Sequence, residues 1–148
     1  MLPRTALHSA ILALLNLASI WVGFVAFQLL GAENQLAVQS PIAFTLTVGL
    51  FLGWMRLVSS RGWSRLRVRG WGDAGWIFGL ALVWAAVVFV PLHLLTQGYL
   101  TAFGNVLAVW AFQVAANTVA VGCAVTLGRR ERKEVVARGE GPEMPRAI

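Results

Sequence analysis

Charge is scarce in this chain, and it is missing where catalysis or ion coupling would need it. Only 12% of the 148 residues are charged, 58% are hydrophobic, and mean hydropathy is +0.72. A water-soluble domain is about half apolar and about a quarter charged, so this chain has too little polar surface to cover a water-facing globule. One cysteine, Cys123, excludes an intrachain disulfide. Its apolar neighbours predict a packed thiol rather than a redox centre. No Asp, Glu, Lys or Arg lies in the middle of any long apolar run. Proton- and ion-coupled transporters normally need such a group, which argues against a small proton-coupled exporter and leaves a facilitator open. No His, Cys and carboxylate group has metal-ligand spacing, and no nucleophile motif or glycine-rich phosphate loop occurs. No metal is therefore expected, and nothing points to a particular cofactor.

What is present is four long apolar runs, at about 6–30, 41–58, 75–95 and 104–127. A helix rising about 1.5 Å per residue needs roughly 20 apolar residues to cross the hydrocarbon of a bilayer. Lipid offers backbone groups no partner, so such runs must be helical. The expected fold is all-α: a polytopic membrane protein whose four transmembrane helices form an up-down bundle. Residues 1–128 make the membrane domain. Residues 129–148 make a basic tail, helical at first and disordered after Ala137. The first run follows Arg4, as a signal peptide would. Its apolar stretch is too long for one, and no clean cleavage site follows in "FQLLGAENQ".

The basic residues then set the orientation. They fall at the N-terminus, between the second and third runs, and in the tail. Glu33 is the one charge between the first and second runs, and the turn between the third and fourth has none. Four crossings put the three basic regions on one side, and the positive-inside rule makes that side the cytoplasm. Both termini are expected inside, in the cytoplasmic (inner) membrane of a bacterium, given the Arg-, Gly- and Ala-rich usage.

The middle connection, "RLVSSRGWSRLRVRGWGDAGW", carries Arg56, Arg61, Arg65, Arg67 and Arg69 with tryptophans between them. A nucleic-acid surface needs a folded platform or a longer basic tract, so nucleic acid is not an expected partner. The arginines read as a cytoplasmic anchor that meets anionic phospholipids, with indoles at the headgroup level.

Small residues supply packing faces. Ser9, Ala13, Asn16, Ser19, Gly23 and Ala26 recur along the first span. Gly49 and Gly53 form a small-xxx-small ladder on the second, and Gly75 and Gly79 another on the third. Close backbone approach in lipid is what such ladders allow. They are expected to pack the bundle, or else to join it to a second copy or a larger membrane complex.

Two polar groups are candidate sites. At the outer face, "PLHLLTQGYLTAFGN" gathers His93, Thr96, Gln97, Tyr99 and Asn105, with Gln28 and Glu33 in reach. Such a cluster suits a headgroup, a quinone or a small substrate, or simply meets water. His93 is eighteen residues into its helix, roughly 27 Å from the inner face, so it cannot pair with His8 across one haem. Within the membrane, Gln113 and Asn117 lie one turn apart on the fourth helix, and Asn16 lies on the first. Amides in lipid seek partners on another helix. The expected role is an interhelical clasp, and the alternative is a ligand-facing stripe. The leading functional expectation is a non-catalytic accessory or assembly subunit of a larger membrane complex. The alternative is a small membrane enzyme or carrier using the His93 cluster.

Overall fold

The computed structural model describes residues 2–63, 66–89, 91 and 102–137, with only the backbone described at 2, 3, 89, 102–110, 131, 132 and 134–137. Every regular element among them is helical. Helix α1 runs Leu2–Leu30, α2 Gln35–Ser60, α3 Trp71–Trp84 with a π-helical turn at Ala85–Phe89, and α4 Ala102–Ala137. All four are long and apolar enough to span a membrane.

The helix bounds follow local chemistry. Gly31, at φ 59°, ends α1 in the left-handed conformation that glycine adopts without a Cβ clash. The Asn34 side chain accepts from Ala37 N at 3.2 Å and caps the start of α2. Helix α2 therefore begins at Gln35, six residues before the Pro41 expected at its boundary, and Pro41 sits inside it. A proline is tolerated there because neighbouring helices and polar side chains compensate the lost backbone bond. The π turn comes just before Pro91. In a regular α-helix the Pro91 ring would clash with the carbonyl four residues earlier, and a wider turn relieves that clash.

The helices form a four-cornered bundle. Helix α1 packs on α2 and α3, and α4 packs on the same two; α2 and α3 sit diagonally and barely touch. The neighbour order, which the sequence does not specify, is thus α1–α2–α4–α3 around the bundle. The described part of the connection between α2 and α3, residues 66–70, lies against one end of the bundle. Its Leu66 carbonyl is held by His8 of α1, and its Val68 carbonyl lies 3.7 Å from where a Cβ on Gly128 of α4 would stand. The starts of α1 and α3 and the ends of α2 and α4 all meet at this end. It gathers Arg4, Arg56, Arg61, Arg67, Arg69, Arg129, Arg130 and Lys133, and is called the basic end below.

Toward the basic end, Leu12, Phe51, Ile77, Ala81, Ala120, Ala124 and Val125 are buried together. Away from it, among the described residues, Ile20 is buried against Leu17, Leu36 and Ala43. Between the two lies a belt of buried polar side chains: Asn16, Ser19, Gln39, Ser40, Thr47, Gln113 and Asn117.

Candidate functional site

Two polar assemblies are built by this fold, one at the basic end and one at mid-bundle. At the basic end, Arg4 and His8 lie one turn apart on α1. Arg4 Nη2 donates to Asp73 Oδ1 at 2.7 Å, with both side chains nearly buried. Asp73 sits in the first turn of α3, where a carboxylate also faces the positive end of the helix dipole. Its second oxygen accepts the Arg69 N–H at 2.8 Å. One carboxylate thus ties α1, α3 and the connection together.

His8 is wholly buried and uses both ring nitrogens. Trp54 Nε1 donates to His8 Nδ1 at 3.0 Å, and His8 Nε2 meets the Leu66 carbonyl at 2.6 Å. An indole N–H can only donate and a carbonyl can only accept. These roles require the neutral ring with its proton on Nε2. The Trp54 ring stands edge-on to the imidazole, with centroids 6.3 Å apart. Both of these partners are internal to the bundle end. Nearby, Arg129 lies 5.9 Å over the Trp71 ring. A cavity of about 470 Å³ between the connection and α4 is lined by Arg69, Arg129, Arg130 and Lys133.

At mid-bundle, Asn16 Nδ2 donates to Asn117 Oδ1 at 2.6 Å, with both side chains buried. This bond spans the α1–α4 diagonal, where the backbones scarcely meet. Gln39 joins from α2, donating through Nε2 to the Ile20 carbonyl at 3.1 Å and accepting from Gln35 at 2.8 Å. A close approach of α1 and α2 lies beside it. A Cβ on Gly23 would stand 2.7 Å from the Gln39 carbonyl oxygen, so only glycine fits.

Two cavities flank this belt. A small one of about 20 Å³ is lined by Asn16, Gln39, Ser40, Thr47 and Gln113 among others, and is roomy and polar enough for one water. A larger one of about 250 Å³ lies between α1, the π turn and α4. Gln113 borders both and is only 3% exposed, yet its Oε1 has no hydrogen-bond partner among the described residues.

The remaining expected sites fare differently. Gln28 and Glu33 are exposed. His93, Thr96, Gln97 and Tyr99 lie outside the described residues, and the Asn105 side chain does too. Among the described residues no group of three or more His, Cys, Asp or Glu side chains is placed to hold a metal. Arg56, Arg61, Arg67 and Arg69 are exposed, and Arg65 is outside the description. Gly49, Gly53, Gly75 and Gly79 are exposed, and a Cβ on any of them would meet nothing within 4 Å. The two ladders do not pack this bundle; Gly23 does that work.

The Arg4–Asp73 and His8–Trp54 contacts escape sequence reading. Their partners are 69 and 46 residues apart in the chain. No family model matches the chain, and no curated protein or solved structure matches it either.

Proposed function

We propose that this chain is a non-catalytic accessory or assembly subunit of a larger membrane complex. In this reading it sits in the cytoplasmic membrane with both termini and the arginine-rich connection inside. The observation that carries it is the outward position of both glycine ladders. Helices α2 and α3 are diagonal, so Gly49 and Gly53 face away from Gly75 and Gly79. Such ladders bring backbones together in lipid, where dispersion and weak polar contacts replace the hydrophobic drive. Two ladders on opposite sides suit a subunit placed between neighbours. The basic end agrees with the positive-inside rule. Its exposed arginines suit anionic phospholipid headgroups at roughly 1 kcal/mol per charge near the surface. His8, Arg4 and Asp73, enclosed titratable groups at that end, all make internal bonds, which favours scaffolding over chemistry there.

Site-directed crosslinking in native membranes tests the reading. In a Cys123→Ser background, cysteine is placed at Gly53 or Gly79 and bridged with a short bifunctional reagent. An adduct with a different, larger membrane protein is expected from at least one ladder. Adducts with a second copy alone, or none from either ladder, would overturn it.

A further inference from the structure

We propose that the 250 Å³ cavity between α1, the π turn and α4 binds a neutral lipophilic molecule carrying a hydroxyl group, which donates its proton to Gln113 Oε1. The cavity is lined by Ala13, Leu14, Leu17, Trp84, Ala85 and Val88, with Asn16 and Gln113 as its polar members. Among the described residues no charged side chain lines it, so an ion would meet only the cost of leaving water. A dry cavity of about 150 Å³ already takes a molecule of benzene's size, so this one accepts a larger apolar body. Leu14, Trp84 and Val88 are exposed at its margin, which gives entry from the surrounding lipid rather than from water.

The hydroxyl requirement comes from Gln113. Its carbonyl oxygen is buried and has no partner among the described residues, a state that a donated hydrogen bond relieves. Neither nearby amide satisfies it: Asn16 Nδ2 donates to Asn117 at 2.6 Å, and Asn117 Nδ2 has no partner among the described residues. The π turn shapes the opposite wall, since Ala85 and Val88 both face the cavity from it. Single π-helical turns recur at functional sites, where they re-aim side chains. The site does not depend on the accessory reading, and neither glycine ladder contributes to it.

The test uses the full chain in lipid nanodiscs. The probe is a decanol analogue with a diazirine in its chain. Labelling is expected to saturate and to map to residues 10–17 or 84–88. At equal mole fraction in the bilayer, unlabelled decanol should displace the probe about three- to tenfold better than decane, the advantage one neutral hydrogen bond supplies. Gln113→Leu should erase the alcohol's advantage while labelling persists. Ala85→Phe, which fills the cavity, should abolish labelling. A melting curve on each variant confirms that it is folded, and Gln113→Met stands in should the leucine variant fail. Competition by dioctanoylglycerol against farnesol then assigns the hydroxyl to a membrane lipid or to a free isoprenoid alcohol. Unsaturable labelling, labels mapping elsewhere, equal displacement by decanol and decane, or an alcohol preference unchanged by Gln113→Leu would each overturn the proposal. A water held by Gln113 in the small polar cavity gives the equal-displacement result.

Discussion

Single side chains join this bundle at points where the backbones do not meet. The Asn16–Asn117 bond crosses its centre. Replacing Asn117 with leucine leaves the Asn16 amide without an acceptor in an apolar interior. Thermal unfolding in mild detergent should show a loss of about 1–2 kcal/mol. Asn16→Leu with Asn117→Leu should recover most of it, since two apolar groups leave nothing unpaired. A double variant as unstable as the sum of the singles would refute the coupling. At the basic end, Asp73→Ala strands the nearly buried Arg4 guanidinium and frees the Arg69 N–H. Breaking one half of a buried pair costs about 3–5 kcal/mol. This pair lies at a helix end with water close by, so roughly half of that is expected. Arg4→Leu should restore part of the loss in the same unfolding assay. His8→Phe keeps the ring but leaves the Trp54 N–H and the Leu66 carbonyl unpaired. It should lower stability by about 1–3 kcal/mol. A melting temperature equal to the parent's would show that the imidazole bonds carry no weight.

The helices differ in which glycines they need. Gly23 admits the Gln39 backbone, and a Cβ there would stand 2.7 Å from a carbonyl oxygen. Gly23→Ala must therefore push α1 and α2 apart and should cost about 1–3 kcal/mol. Gly79→Ala meets nothing within 4 Å. Alanine is the better helix former by about 1 kcal/mol, so the isolated chain should be as stable or slightly more so. Equal destabilisation by the two substitutions would contradict the placement of the ladder outside the bundle. The four helices were legible in the sequence because a long apolar run between polar connections has one solution in lipid. The ends were less legible. Asn34 rather than Pro41 starts α2, because a side-chain cap outweighs a proline that the bundle tolerates. The role of Gly23 was visible in the small-residue spacing of α1. The outward position of the other ladders was not, because spacing defines a face without saying what it meets.

For the whole molecule, the collection of basic residues at one end was legible from charge order alone. The diagonal placement of α2 and α3 was not. It rests on contacts between residues far apart in sequence, such as Arg4 with Asp73 and His8 with Leu66. The mid-bundle cavity was hidden for the same reason, since Gln113 and Trp84 border it from different helices. What remains distinctive at this scale is a bundle closed at its basic end, polar at its middle and bare along two opposite glycine ladders. The proposed accessory role predicts that the chain is not alone in its membrane. The most direct measurement is the mass of the particle released from native membranes into nanodiscs without added detergent. A stoichiometric complex containing a larger membrane protein is predicted, and bulky substitutions at Gly49 and Gly79 together should dissolve it. A lone monomer or homodimer of the unmodified chain would contradict the accessory role.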